Sequence, residues 1–163
     1  MNSPPPTPPP ITGREPSADQ TSPAGALAHF YRAFNGRDLA LMTANWSESA
    51  AVAMSNPLGG VRRGWPAIRE VYARIFSGPA VVEVEFFDYT VHGDGELCYA
   101  VGRERGHYRA AGTSLALAIR TSRIFRREAG LWRQVHHHGS IEDTALLAAY
   151  QAAVGGRPAV PAA

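Results

Sequence analysis

Residues 119–141 read IRTSRIFRREAGLWRQVHHHGSI, and the strongest indication of the fold lies in this segment. Two runs rich in β-branched and aromatic residues, 119–127 and 131–140, flank the short segment Glu128-Ala129-Gly130, which ends in glycine. The pattern predicts a β-hairpin.

Side chains alternate between the two faces of a strand, so each strand of this hairpin has two predicted faces. In the first strand, alternation places on one face Ile119, Thr121, Arg123 and Phe125. In the second strand, Val135, His137 and Gly139 are predicted to oppose Trp132, Gln134, His136 and His138. Neither face is purely polar, which indicates a sheet covered by helices on one face and by a partner subunit or second layer on the other.

Composition narrows the classes of protein that this chain can represent. The 163 residues suit a single domain, and the formal net charge is only +2. All 16 basic residues are arginines. They are spread along the chain and form no basic stripe, so we expect no nucleic-acid binding. A single cysteine, Cys98, excludes an intrachain disulfide and is predicted to be a small buried residue. Without a long apolar run or a leader pattern, we expect no membrane partner and a cytoplasmic location.

Both ends of the chain read as loose segments around one domain. Residues 1–22 are rich in proline with almost nothing apolar, which predicts a disordered tail, and residues 155–163 read as a flexible C-terminal tail. The remaining residues, 23–154, form the predicted domain.

Start and stop signals divide that domain into helices followed by strands. Helices are predicted to begin at Ser22-Pro23, Asp38 and Gly64-Trp65-Pro66, and a last one to cover Asp143 to Val154. After a short strand at 50–55, four long strands are predicted at 81–92, 97–108, 114–127 and 131–140. Helices followed by an antiparallel meander predict an α+β fold, a curved sheet of five or six strands wrapped around the N-terminal helices with a short C-terminal helix.

In the order and spacing of several short motifs, the chain resembles the nuclear transport factor 2-like, or SnoaL-like, superfamily. The motifs lie between Ala24 and Ser140 and comprise Phe30-Tyr31 with Asn35-Gly36-Arg37-Asp38, Asn56-Pro57-Leu58-Gly59, Gly64 before Ala67-Ile68, and Trp132 with His136 to Ser140. Within the superfamily, the hairpin is most similar to the association domain of calcium/calmodulin-dependent kinase II and its stand-alone bacterial relatives. The resemblance implies an α+β cone with a ligand pocket, and a homodimer formed sheet to sheet.

The resemblance also implies a set of pocket residues. The association domain has a Thr-Arg-Val-Trp strand, an Asp-Gly turn, a Trp and a Val-His-Phe-His-Arg-Ser strand, whose places are taken here by 122–125, Trp132 and 135–140. By this likeness Arg123 and Arg103 face the pocket, whereas the third family arginine is replaced by Gly139. Two guanidinium groups there would bind an organic anion. The alternative is that both arginines pair within the sheet, with Glu104 or Glu85 as partners.

Ketosteroid isomerases share the cone and define an enzyme alternative. In that family an Asp-Pro step carries the general base, whereas this chain has Asn56 before Pro57, and an amide cannot abstract a proton. Asn56 is therefore a candidate catalytic residue only through orienting a ligand.

The histidine run offers a second chemical group. His137 shares the predicted face of Arg123 and is the candidate general base, because an imidazole titrates near neutral pH. His136 and His138 share the other face, but a zinc site needs at least three ligands and no third is apparent, so we expect no metal.

The resemblance implies a SnoaL-like small-molecule-binding protein, with a pocket expected to be lined by Tyr31, Trp46, Trp65, Tyr72 and Tyr99. The expected ligand is a small organic anion or a polyketide-like or steroid-like molecule, and any reaction would be acid–base chemistry of the isomerase, dehydratase or hydrolase type without a cofactor. The alternative is a noncatalytic dimerisation or oligomerisation module.

Overall fold

A computed structural model describes residues 6–155 of the chain. The helices are α1 (Pro23–Asn35), α2 (Leu39–Asn45), α3 (Trp65–Ser77) and α4 (Thr144–Val154). The strands are β1 (Ala53–Ser55), β2 (Arg62–Arg63), β3 (Val81–Gly93), β4 (Leu97–Ala110), β5 (Thr113–Glu128) and β6 (Leu131–Ser140). Helices come first and long strands follow, so the α+β prediction is confirmed.

Side-chain caps fix the starts of three helices where the sequence predicts them. Ser22 Oγ accepts a hydrogen bond from the Gly25 backbone N–H at 3.0 Å, and Asp38 caps α2 in the same way. Asp143 accepts from two backbone N–H groups of the first turn of α4. These caps satisfy donors that a helix start leaves without partners. α3 lacks such a cap and begins after Gly64, whose φ of +78° suits glycine.

All six strands form one curved sheet in the order β2-β1-β6-β5-β4-β3. The four long strands make the predicted antiparallel meander, whereas the short strand β1 runs parallel to β6. The helices α1, α2 and α3 pack on the inner face of this sheet. The molecule is the expected cone, with its core between these helices and the strands.

A tight turn and a β-bulge shape the β5–β6 hairpin. Glu128 pairs with Leu131, so the turn contains only Ala129 and Gly130, with φ of +49° and +82°. Positive φ at both positions is the type I′ geometry that matches the twist of a hairpin. Further along, Phe125 pairs with Gln134 but Ile124 pairs with His136. Val135 is therefore the extra residue of a bulge.

The bulge corrects the predicted faces of β6. An unbroken strand would place Gln134 and His137 on opposite faces, because their numbers differ by three. Because Val135 is an extra residue, the side chains of Gln134 and His137 point to the same face, and both are buried. Trp132 also lies on this inner face, so the predicted opposition of Trp132 and Gln134 to His137 is wrong.

Residues 11–22 pack against the domain, unlike the loose tail that the sequence predicts. Ile11 is buried and exchanges two backbone hydrogen bonds with Phe86, at 2.8 and 2.9 Å, on the free edge of β3. Gln20 is also buried, and its side chain donates to the Trp132 carbonyl at 3.0 Å. An open sheet edge gains from such pairing, and the buried Ile11 side chain adds an apolar contact to the core. Residues 1–5 of the predicted tail, and 156–163 at the other end, lie outside the described residues.

Helix α4 packs against β4, β5 and the loop after β1. Tyr150 is buried, and its ring contacts the Tyr108 ring edge to face at 5.7 Å. The Gln151 side chain donates to the Leu58 carbonyl at 3.1 Å, which joins α4 to the loop after β1. Cys98 is buried as predicted, and burial raises its pKa to about 11, so the thiol is not reactive near neutral pH. Within residues 6–155, no helix is long and apolar enough to span a membrane.

Candidate functional site

Arg123 lies at the centre of the interior, with 1% of its surface exposed. Its Nη2 donates to Glu104 Oε1 at 2.8 Å, and its Nη1 donates to Gln134 Oε1 at 2.7 Å. The Nε atom lies 3.4 Å from the Tyr31 hydroxyl, and the guanidinium carbon lies 3.6 Å from the centre of the Phe30 ring. Every nitrogen of the guanidinium group therefore has a protein partner.

The Arg123–Glu104 pair carries no net charge. Burial alone would lower the pKa of Arg123, but Tyr31 and Glu104 together raise it above its ordinary value, so the guanidinium stays protonated. Glu104 Oε1 also accepts a hydrogen bond from the Tyr31 hydroxyl at 2.6 Å. Burial raises the pKa of Tyr31 well above its ordinary value, so the hydroxyl keeps this proton. The pairing within the sheet that the sequence left open is thus the arrangement that Arg123 adopts.

The predicted pair of pocket arginines is not formed. Arg103 lies on the outer face of β4, where its Nε contacts Asp88 Oδ2 at 3.3 Å and about half of its side chain is exposed. The β4–β5 register puts Glu104, the next residue, on the same face as Arg123. Tyr99 has the same parity as Arg103 and is 46% exposed on the outer face, so it cannot line an interior pocket.

A small interior cavity of about 60 Å³ has Arg123 in its wall. Its polar lining residues are Asn56, Glu104, Arg123 and His137. The rest of its wall is apolar or aromatic and consists of Phe30, Phe34, Met54, Pro57, Leu58, Val71, Tyr72, Ile75, Val82, Val84, Ile119 and Tyr150. Mostly apolar walls with a few converging polar groups are typical of small-molecule sites.

Two larger depressions, of about 710 and 440 Å³, are bounded by surface residues. The first lies beside residues 12–14 and contains Arg105, which pairs with Glu85 at 2.6 Å. The second lies on the outer sheet face around Arg103 and His138. Their charged side chains are exposed and mostly paired, so the interior cavity is the better candidate site.

Among the described residues that line the cavity, His137 is the one whose side chain has fully buried polar atoms without hydrogen-bond partners. It pairs across the strands with Arg123, is 6% exposed, and lines the cavity as its predicted face requires. Among the described residues, neither of its ring nitrogens has a hydrogen-bond partner. Burial, followed by the charge of Arg123, lowers the pKa of His137 well below its ordinary value. The imidazole is therefore uncharged at neutral pH and can both donate and accept one hydrogen bond.

Gly139 and Asn56 shape the cavity beside this imidazole. A Cβ atom at position 139 would lie 3.0 Å from Pro57 Cδ and 3.3 Å from His137 Nε2. A side chain at this position would therefore press on Pro57 and His137, both of which line the cavity. Asn56 lines the same cavity, and its side-chain oxygen accepts from the Leu58 backbone N–H at 3.0 Å.

The other predicted aromatic residues fall into two groups. Tyr72 lines the cavity, and burial raises its pKa to about 12, so its hydroxyl stays protonated. Tyr31 lies beneath Arg123 as a partner of Glu104. Trp46 and Trp65 stack on each other with ring centres 6.2 Å apart and do not line the cavity, so they belong to the core.

The two flanking histidines lie away from the cavity. His136 Nδ1 hydrogen-bonds the Ala53 carbonyl at 3.1 Å, between β6 and β1, and His138 is exposed on the outer face. Within the described part of the chain, no cluster of three or more histidine, cysteine or acidic side chains could hold a metal ion.

Sequence reasoning missed Gln134 and Asn45 in the buried network. Gln134 donates from Nε2 to Asn45 Oδ1 at 3.1 Å and accepts from Arg123, and both amides are fully buried. No local signal marks them, because the bulge that turns Gln134 inward is set by strand pairing. The sequence marked Glu104 only by its position next to Arg103. Adjacent residues of a strand point to opposite faces, so Glu104 faces inward when Arg103 faces outward.

Solved structures with this architecture agree with the described fold. One is a candidate calcium/calmodulin-dependent protein kinase type II association domain from Thiobacillus denitrificans, 26% identical over 75% of this chain and 96% of that one, with a TM-score of 0.61. A candidate dehydratase of the NTF2-like family from Streptomyces avermitilis is 20% identical over 77% and 97%, with a TM-score of 0.67. A candidate ketosteroid isomerase from Shewanella frigidimarina is 14% identical over 76% and 97%, with a TM-score of 0.61.

The family comparison covers the same elements. No functionally curated protein matches the chain in sequence. The SnoaL-like domain matches residues 24–144, from the first turn of α1 through the whole sheet to the start of α4. The match contains the buried network and the polar residues of the cavity. With its cone, its order of strands and this match, the chain belongs to the SnoaL-like domain family.

Proposed function

We propose that the interior cavity binds a small, uncharged, mostly apolar molecule whose single polar group hydrogen-bonds His137. The observation that carries this proposal is the orphan imidazole: His137 is buried, uncharged and without a protein partner, yet faces a cavity with apolar walls. A buried polar group without a partner costs roughly 1–3 kcal/mol, and a ligand hydroxyl or carbonyl recovers it.

The charge balance of the site favours a neutral ligand over the expected anion. Arg123 is neutralised by Glu104, and Arg103 lies on the outer face, so the cavity holds no uncompensated positive charge from either arginine. An anion entering the cavity would lose its hydration and meet a carboxylate as well as a guanidinium group. An alcohol or ketone with a ring or short chain matches the walls without this loss.

The size of the cavity limits the ligand. About 60 Å³ holds only a few heavy atoms, so a ring compound must displace the wall. The wall residues Leu58 and Tyr150 lie on the loop after β1 and on α4, two elements joined by the Gln151–Leu58 hydrogen bond. We expect ligand entry between these two elements.

Binding is better supported than catalysis. A general base works best when its pKa lies near the working pH, and the pKa of His137 lies well below neutral. Such an imidazole stays unprotonated but is a weak base. Asn56 offers an amide, which accepts or donates a hydrogen bond but does not transfer a proton.

A matched ligand series tests the proposal. Thermal unfolding is measured with cyclohexanone, cyclohexanol and cyclohexanecarboxylate, which share a ring and differ in the polar group. We expect the ketone or the alcohol to raise the midpoint and the carboxylate to have no effect. His137→Phe should abolish the response, whereas His107→Phe, on the exposed part of β4, should retain it. A response to the carboxylate alone, or an unchanged response in His137→Phe, contradicts the proposal.

Deuterium exchange tests the catalytic alternative. When cyclohexanone is incubated with the protein in D2O, a general base at His137 would catalyse exchange of the protons next to the carbonyl. We expect no exchange above the buffer rate, because His137 is too weak a base. Exchange that disappears in His137→Phe would instead assign the protein an acid–base reaction.

We also propose that two copies pair through the outer sheet face. Leu97, Tyr99 and Val101 follow each other along this face of β4, and each is nearly half exposed. Adjacent exposed apolar side chains are typical of interaction surfaces. Sedimentation of the full chain should give the mass of a dimer, and Val101→Glu should shift it to the monomer. A monomeric wild type contradicts this second proposal and leaves the cavity proposal intact.

A further inference from the structure

We propose that His29, Asn45 and Gln134 form a polarised hydrogen-bond chain that positions Arg123 at the cavity, and that uptake of a proton by His29 weakens ligand binding. The link to the ligand rests on the function proposed above. The polarity of the chain rests on geometry alone.

The chain crosses the interior from the cavity to helix α1. Arg123 Nη1 donates to Gln134 Oε1 at 2.7 Å, and Gln134 Nε2 donates to Asn45 Oδ1 at 3.1 Å. Asn45 Nδ2 then contacts both the Ala26 carbonyl, at 3.0 Å, and His29 Nδ1, at 3.1 Å. Four elements, β5, β6, α2 and α1, thus supply one side chain each to a continuous path.

Both ends of the path fix its direction independently. An arginine side chain can only donate, so Gln134 must turn its oxygen toward Arg123. A backbone carbonyl can only accept, so Asn45 must turn its nitrogen toward Ala26. With both amides fixed, His29 Nδ1 meets a donor and must accept. The resting ring is therefore uncharged, with its proton on Nε2.

Protonation of His29 conflicts with this direction. A proton on Nδ1 would face the Asn45 amide nitrogen, and two donors cannot share a hydrogen bond. Reversing the Asn45 amide would bring its oxygen to the Ala26 carbonyl and its nitrogen to the Gln134 nitrogen. Reversing Gln134 in turn would direct its nitrogen at Arg123. Unless His29 gives up its contact with Asn45, the conflict is relieved by breaking the support of Arg123, which lines the cavity.

The surroundings of His29 keep it uncharged until the pH falls. Burial, and then the charges of Arg32 on α1 and Arg133 on β6, lower the pKa of His29, while Asp19 and Asp38 act in the opposite direction. A core without function would be better filled by apolar side chains, because buried polar networks are costly unless every member is satisfied. This network is satisfied in one direction only, which suits it to sense a proton.

The ligand-free protein provides the first test. Nitrogen-15 NMR of the imidazoles reports which nitrogen carries the proton, and at pH 7.5 we expect His29 to carry it on Nε2. Asn45→Asp keeps an oxygen toward Gln134 but replaces the donor at His29 Nδ1 with an acceptor, so His29 should gain a proton on Nδ1. Gln151→Glu makes an equivalent amide-to-carboxylate exchange on the exposed surface of α4 and should leave His29 unchanged. A proton on Nδ1 in the wild type, or an unchanged His29 in Asn45→Asp, overturns the chain. If Asn45→Asp does not fold, the wild-type spectrum decides alone.

The second test measures the coupling with cyclohexanone as the probe. Between pH 7.5 and 5.5 its affinity should fall about fivefold more in the wild type than in His29→Gln, since about fivefold corresponds to one lost hydrogen bond. The glutamine keeps an oxygen that accepts from Asn45 and does not titrate, and His137 titrates equally in both proteins. An equal fall in both overturns the proton coupling. Absence of binding at pH 7.5 overturns the proposed function instead, and the NMR result on the chain still stands.

Discussion

Replacing Glu104 with glutamine removes the negative charge that neutralises the buried Arg123. The glutamine side chain has almost the same shape as the glutamate that it replaces. The side chains of Arg123 and Glu104 are 2% and 7% exposed, so water cannot replace the lost carboxylate. Arg123 retains Gln134, Tyr31 and the Phe30 ring, but these groups are uncharged. Removing one partner of a buried ion pair leaves the other charge unpaired and lowers the free energy of unfolding by about 3–5 kcal/mol. Because the remaining amide still accepts a hydrogen bond, we expect the lower end, about 3 kcal/mol.

Urea unfolding at pH 7.5 measures this loss directly, and in thermal unfolding it corresponds to a midpoint lower by about 6–12 °C for a chain of this size. Glu85→Gln is the matched control, because Glu85 pairs with Arg105 at 2.6 Å on the exposed side of the same sheet. An exposed pair contributes less than about 1 kcal/mol.

A double-mutant cycle separates the pair from its surroundings. Arg123→Met alone should cost about as much as Glu104→Gln, since it leaves the carboxylate buried with Tyr31 as its partner. The double variant should cost less than the sum of the two by about 2 kcal/mol, because neither charge is left alone. If Glu104→Gln costs no more than Glu85→Gln, or if the two losses add fully, the reasoning about the buried pair is refuted.

Three further predictions concern pH, cavity space and the hairpin turn. The pKa of His137 is lowered in the folded state, so its contribution to stability is complete above pH 6.5 and is lost as the pH falls from 6.5 toward the folded-state pKa. In urea unfolding measured against pH, His137→Phe should flatten this part of the profile. Gly139→Ala should weaken cyclohexanone binding about tenfold or more, because its methyl group would lie 3.0 Å from Pro57 Cδ and 3.3 Å from His137 Nε2 and displace these two cavity residues; calorimetry that shows unchanged affinity would contradict the cavity assignment. Ala129→Asn should stabilise the domain by about 0.5–1 kcal/mol in urea unfolding, since asparagine tolerates the φ of +49° better than alanine, and a loss of stability would argue against the type I′ turn.

Local chemistry made much of the fold predictable. Ser22, Asp38 and Asp143 cap helices because their side chains accept hydrogen bonds from the first-turn N–H groups, and such signals act within a few residues. The antiparallel hairpin around Gly130 was equally readable. Packing of residues 11–22 was not, because the partner of Ile11 is the edge of a strand 75 positions away in sequence.

The candidate site was predictable only in part. Arg123 and His137 were identified on one face, and the structure places both at the cavity. The role of Arg103 was inferred from likeness in sequence, which does not report the face on which a side chain lies. Glu104, one residue later, is the true partner, and a shift of one residue along a strand exchanges inside for outside.

The sequence by itself determined which elements form, because caps, turns and apolar periodicity are local properties of the chain. The tertiary structure decided which side chains meet. The bulge at Val135 exists only in the pairing of β5 with β6, and it turns Gln134 and His137 to the same side. The β4–β5 register then brings Glu104 to Arg123, which neutralises the charge expected to bind an anion. Charge balance inside the cone is a long-range property, and it changes the expected ligand from an anion to a neutral molecule.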